Sequence, residues 1–221
     1  MNYSHKIISM AAAICAMAIV EAQAFIAYQV PTGTVGNQHL TPGETSSMGN
    51  DFNVNQSIIV TSLGVFDSGG DGISGTLVAR LFDRDTQASL ASITFSGNTG
   101  TLIGGSRFID LASPLTLNAG FHGIISVAYL GDQLEPNGNL REGPGNWTMD
   151  NGGGLISFVG EGHYSYAGTG DVYPNLSAAP SPAPNTFAAG TFSYVAVPEP
   201  SVLAMVGAGI LASIRKIVRR K

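Results

Sequence analysis

Between residues 25 and 196 no segment keeps a helical period for more than two turns, and short β-branched runs recur between clusters of Gly, Pro, Asn and Asp. Strands are the element this pattern permits, since alternate side chains face opposite sides and turn residues break the chain at short intervals. Residues 57–66 are the densest run, with Ile58, Ile59, Val60, Thr61 and Val65, a composition suited to a strand covered on both faces. The cluster Asp67-Ser68-Gly69-Gly70-Asp71-Gly72 ends it. Residues 76–82 and 90–95 read as a hairpin across the polar loop 83–87. Shorter candidates are 106–111 and 115–117, and in 121–130 Phe121, Gly123, Ile125, Val127 and Tyr129 share one face. After a long polar loop, 132–154, strands are expected at 155–159, 162–167 and 186–195. Residues 25–48 read as turn-rich, with one edge strand near 27–30. The expectation is an all-β, jelly-roll-like β-sandwich over 25–196, without internal repeats.

The two ends differ from this segment. Residues 1–24 carry Lys6, an apolar stretch over 7–20, and the small residues Ala22 and Ala24 around Gln23. This is the layout of a secretory signal helix, cleaved by signal peptidase before Phe25. The apolar stretch is shorter than the ~20 residues a permanent span prefers. Residues 197–221 begin with Val197-Pro198-Glu199-Pro200, continue through an apolar run over 202–214, and end in Arg215, Lys216, Arg219, Arg220 and Lys221. The prolines favour an extended, accessible segment. The apolar run can enter a bilayer as a hydrophobic helix, with the basic end retained on the cytoplasmic side. At ~1.5 Å per residue that run covers about 20 Å of a hydrocarbon core of about 30 Å, which suits a temporary hold.

The tail, from Pro198-Glu199-Pro200 onward, resembles the PEP-CTERM sorting signal of Gram-negative bacteria, also found on some ice-binding proteins. The resemblance implies an exosortase as processing partner, in systems linked to exopolysaccharide and biofilm. It implies export across the inner membrane, transient anchoring there, and delivery to the cell surface or extracellular matrix. A second resemblance covers residues 51–129, through Asp51-Phe52-Asn53-Val54, Leu63-Gly64-Val65-Phe66-Asp67 and Gly70-Asp71-Gly72. It is to a sandwich domain of unassigned activity found in many PEP-CTERM and other secreted bacterial proteins, and it implies fold rather than activity.

Charge limits the partners. The chain has ten basic and fifteen acidic residues; setting aside Lys6, Glu21, Glu199 and the five basic tail residues leaves four arginines, no lysine and thirteen acids, a net −9. A lysine-free acidic domain has no basic patch for nucleic acid. Cys15, in the signal, is the only cysteine, so the domain relies on an ordinary core and offers no thiolate.

Candidate chemistry is sparse. Asp67 and Asp71 flank two glycines, and carboxylates on such a turn serve either Ca²⁺ or the turn's own backbone. The Asp-x-Asp-x-Asp-Gly density of an EF-hand loop is absent. His39, His122 and His163 fall in no metal-ligand spacing, and no Gly-x-Ser-x-Gly elbow occurs. His122 falls on the exposed face of its strand. Trp147, the only tryptophan, stands in a Gly-rich loop ahead of Tyr164, Tyr166 and Tyr173. It is either an aromatic platform for glycan stacking or a lid over the sandwich edge. No residue pattern signals catalysis or a cofactor. The expected function is that of an exported, non-catalytic envelope or matrix protein, with a secreted polysaccharide-acting enzyme as the alternative.

Overall fold

The computed structural model describes residues 23–36, 46–129, 147–166, 173–177 and 187–198. The signal segment with Ala22, and the tail from Glu199 through Pro200, Arg215, Lys216, Arg219, Arg220 and Lys221, lie outside the described residues. So do the two expected terminal helices.

The described chain is all-β. In order the strands are β1 (Phe25–Ile26), β2 (Tyr28–Gln29), β3 (Ser46–Val54), β4 (Ile58–Phe66), β5 (Ile73–Asp83), β6 (Ser89–Gly97) and β7 (Thr101–Ile103). Then come β8 (Ser106–Leu117), β9 (His122–Tyr129), β10 (Thr148–Met149), β11 (Ile156–Tyr166), β12 (Leu176–Ser177) and β13 (Gly190–Ala196). One sheet runs β1-β13-β4-β8-β7, the other β12-β11-β3-β9-β5-β6, and β10 pairs with β2. Every pairing is antiparallel.

The core lies between the sheets. Phe52, Leu77, Leu81, Phe95, Ile125 and Val127 come from the six-stranded sheet and meet Ile58, Val60, Leu117, Phe192 and Tyr194 of the five-stranded one. Phe52 and Phe192 touch across the gap with ring centroids 4.8 Å apart, and Phe192 in turn meets Tyr194 at 5.5 Å. Tilted aromatic contacts of this kind add to the burial of their large apolar area. At Gly49 a Cβ would overlap the Ile125 carbonyl, so this position needs glycine for β3 to reach β9.

The hairpin of β5 and β6 matches the sequence reading. Asp83 N–H donates to the Ala88 carbonyl (2.9 Å), and Gln87 takes the left-handed conformation (φ 62°) that closes the loop. The expected face of β9 also holds, with Ile125, Val127 and Tyr129 in the core and His122 exposed.

Four expectations are corrected. Residues 46–48 belong to β3 rather than to a turn-rich lead, because Ser47 Oγ pairs with Ser165 Oγ (2.7 Å) inside the protein. Small hydroxyl residues are admitted to a buried strand when they bond to each other. Segments 106–111 and 115–117 form one strand, β8, whose register against β4 jumps between Asp110 and Leu115. Segments 155–159 and 162–167 likewise join as β11, with a bulge after Phe158 containing Gly160 at φ 91°. A bulge inserts unpaired residues without ending the strand, so a turn-like sequence does not mark a break there. β7, three exposed residues, gave no sequence signal.

The buried phenols set an alkaline limit. Burial, then the Asp51 charge, pushes Tyr28 well above the usual phenol value; burial, then Asp150, pushes Tyr194 up. A group whose folded pKa is raised stabilises the fold fully below its unfolded value, near 10, and loses that contribution as pH rises further. The phenolate absorbance at 295 nm is therefore expected to include a step for Tyr28 and Tyr194 that coincides with loss of near-ultraviolet dichroism above pH 10. A smooth titration of every tyrosine near 10 with the fold intact would contradict this.

Candidate functional site

The Asp67 turn comes first. Asp67 sits at the end of β4, fully buried, and its Oδ2 accepts from Arg107 Nε at 2.6 Å. Its Oδ1 accepts Gly72 N–H (3.1 Å), and Asp67 N–H donates to the Gly105 carbonyl (2.9 Å). Arg107, on β8 and 8 % exposed, also donates to the Asn98 side-chain oxygen (2.8 Å) and to the Asn98 carbonyl (3.3 Å). One guanidinium thus fastens the end of β4, the start of β8 and the β6–β7 turn. Both Asp67 oxygens are engaged and its charge is matched, while Asp71 is exposed and apart from this network. Of the two uses the sequence left open for the Asp67 carboxylate, this geometry is that of the turn's own backbone and an ion pair. Among the described residues no group of three or more His, Cys, Asp or Glu side chains could hold a metal ion.

Trp147 takes the lid role. Its partly buried ring packs against the main core and against the cluster of Val30, Phe66 and Ala188, 6.0 Å from the Tyr28 ring. Tyr164 packs on Phe187 and Tyr173 lies edge-on to Phe82 at 5.4 Å. Among the described residues with assigned burial, no aromatic side chain is exposed. A stacking platform needs an open ring face, and these rings are spent on packing. Of the two uses the sequence left open for Trp147, the packing described is that of the lid.

The cluster that sequence reasoning missed lies on the outer face of the six-stranded sheet. Asp51 points opposite to the core residue Phe52 and is fully buried; its Oδ2 accepts from Arg84 Nη1 at 2.9 Å and pairs with His163 Nε2 at 3.3 Å. Arg84 comes from the β5–β6 loop and keeps 34 % of its side chain exposed, while His163 comes from β11. Next to it His122 Nδ1 meets Asp85 at 3.2 Å on the surface. Asp83 accepts the N–H groups of Thr86 and Asp85, and these bonds, Thr86 first, hold its carboxyl below the usual carboxylate range. The signal available in the sequence was period-two parity: Asp51 alternates with Phe52 and Val54, and Arg84 is one of only four arginines in the domain. Chemically, Asp51 fixes the His163 ring through Nε2 and takes up a guanidinium charge. Buried this deeply, the pair joins β3, β11 and the hairpin loop instead of presenting an acid and base to solvent.

Ala24 is exposed immediately before β1, and Pro198 is exposed immediately after the hydrogen-bonded Val197.

No family model and no curated protein matches the chain. Among solved structures it is similar to a family 35 carbohydrate binding module from an environmental isolate, with a TM-score of 0.30 and 14 % identity over 58 % of this chain and 95 % of that one. It is also similar to the infectious bursal disease virus VP2 subviral particle, with a TM-score of 0.26 and 12 % identity over 89 % of this chain and 50 % of that one. At this depth neither neighbour says what the chain binds.

Two variants test these assignments. Arg107→Ala leaves Asp67 buried and unpaired and is expected to lower unfolding stability by about 3–5 kcal/mol in urea titration, with no change in melting temperature when EDTA replaces millimolar calcium. Trp147→Ala is expected to cost about 2–3 kcal/mol, below the ~3–5 of a fully buried ring; an unchanged melt would return Trp147 to the platform role.

Proposed function

We propose that the chain is an exported, non-catalytic component of the cell envelope or extracellular matrix, delivered by an exosortase that acts at Pro198-Glu199-Pro200. In this reading signal peptidase cleaves after Ala24. The apolar helix and basic end of the tail hold the protein transiently in the inner membrane, and its destination is a surface or matrix rich in exopolysaccharide. In this reading the sandwich is jelly-roll-like, which is supported by the crossings between sheets at β3–β4, β4–β5, β6–β7, β8–β9 and β12–β13.

The observation that carries the reading is where the chain enters and leaves the sandwich. β1 pairs with β13, with Phe25 opposite Tyr194, and Val197 N–H donates to the Ser57 carbonyl (3.1 Å) before the exposed Pro198. The segments before 25 and after 197 thus join the domain side by side, with Ala24 and Pro198 exposed at the two junctions. The engaged carboxylates support the non-catalytic part: Asp51 and Asp67 are spent on buried ion pairs, Asp83 on its own loop.

Intact-mass measurement of the protein from its host is expected to show a chain starting at Phe25 and ending near the Pro198-Glu199-Pro200 motif. Replacing these three residues by alanine is expected to leave the protein in the inner membrane, and normal surface yield from that variant would sink the sorting proposal. Hydrolysis of the host's own exopolysaccharide by the purified protein would overturn the non-catalytic part alone.

A further inference from the structure

The two sheets end very differently. Among the described strands the outermost are β1, β7 and β12, of two, three and two residues, which cover only part of β13, β8 and β11, and β6, of nine. Short edges are a protection against pairing with other chains. β6 lacks that protection, and it lacks charge as well: no Asp, Glu, Lys, Arg or Pro occurs from Thr86 to Ser106. Register shifts against β5 lie at both ends of β6, between Ile73/Leu77 and between Leu81/Phe82, so the regular stretch is 91–95.

The direction of its backbone groups follows from the bonds around the hairpin. Asp83 N–H bonds towards β6, at Ala88, and Arg84 N–H bonds towards β9, at His122. Alternation along β5 then gives Leu81, Ala79 and Leu77 to β6, where they pair with Ala91, Ile93 and Phe95. Ser92 and Thr94 therefore aim their N–H and C=O groups away from β5. Ser96 agrees, since its N–H and C=O bond to Thr99 in the following turn. The side chains of Ser92 and Thr94 are exposed on the outer face, and Ala91 and Ile93 are half-buried against the core.

We propose that β6 pairs antiparallel with β6 of a second copy of this chain, about a two-fold axis at Ile93. In that register Ser92 of each copy stands opposite Thr94 of the other. The outward N–H and C=O groups of both residues are then matched, giving four backbone hydrogen bonds, and the two six-stranded sheets become one. Ile93 meets its own copy in a non-hydrogen-bonded pair, the closer of the two antiparallel spacings, which extends the core row across the axis. Ser–Thr hydroxyl pairs form above it on the outer face. A second copy fits better than an unrelated strand because the outward set is symmetric about Ile93, and because this edge holds no charge in a domain of net −9. A contact of this length is below the ~1,200 Å² of standard interfaces, so the dimer is a weak one, with a dissociation constant on the order of micromolar, tightening as salt screens the acidic bodies.

The test is light scattering of the full chain in mild detergent, with charge pairs that depend on the register. S92K/T94K sets like charges opposite each other on both sides of the axis and is expected to weaken the dimer about tenfold or more. S92K/T94D sets opposite charges there and is expected to restore it. Both changes are on exposed side chains, and equal melting temperatures confirm that each variant folds. A wild-type chain that stays monomeric to hundreds of micromolar overturns the proposal. So does a dimer indifferent to S92K/T94K, or one that S92K/T94D also breaks.

Discussion

Three residues, Asn55, Gln56 and Ser57, carry the chain from β3 to β4, the strands at the middle of the two sheets. At ~3.3–3.6 Å per extended residue they span about 10 Å, the usual face-to-face separation of packed sheets. A link this short limits where one sheet lies over the other, and its own polar groups are fastened in turn. Asn55 and Gln56 N–H both donate to the Leu155 carbonyl, and the Asn55 side chain donates to the Gly154 carbonyl. Ser57 accepts Ala119 N–H through its hydroxyl and Val197 N–H through its carbonyl. The corner therefore also holds the β8–β9 turn, the loop before β11 and the end of the domain. An Asn-Gln-Ser string that resembles a glycosylation sequon is in this fold a structural corner.

At the opposite end of β4 the fastening is ionic. Asp67 and Arg107 are both removed from water, and a buried pair of this kind gives little net stability against an apolar replacement but a large loss when one partner is removed. Its effect is on geometry: the carboxylate accepts from one fixed direction, and the guanidinium reaches Asn98 as well, so the β6–β7 turn is set against β8. Asp51 plays the same part on the outer face, holding Arg84 and His163. With thirteen acids and only four arginines in the domain, two of those arginines going to buried carboxylates is a large share of its positive charge.

Strands β5, β6 and β9 were legible from their period-two patterns, and β4 from the β-branched density of a strand covered on both faces. β3 was half-hidden, since Ser46, Ser47 and Gly49 read as turn formers until Ser165 and Ile125 are seen beside them. β8 and β11 looked broken because their bulges place small or turn-forming residues mid-strand. The roles of Asp67 and Trp147 were open for a deeper reason: each residue type suits two uses, and the choice is made by a partner far along the chain, Arg107 for one and Tyr28 for the other. Sequence separation of that order leaves no local trace. At Asp51 the parity of β3 marks the carboxylate's face, but its partners Arg84 and His163, on a separate loop and strand, leave no local trace.

The ends of the domain impose a last constraint on the proposed sorting. β13 is an inner strand, between β1 and β4, and its final pairing, Ala196 with Ile58, is followed at once by the Val197–Ser57 bond. An enzyme acting at residues 198–200 has no slack to work with and meets the folded sandwich directly. Freeing Val197 and Ala196 breaks two or so backbone hydrogen bonds, each worth about 0.5–1.5 kcal/mol net. That is a cost of roughly 1–3 kcal/mol, reached by thermal fraying in about one molecule in six down to roughly one in 160. Ile58, fully buried beside this end of the strand, limits how far the opening can spread. The edge of the core thus gives a processing enzyme room at the junction without requiring the domain to unfold.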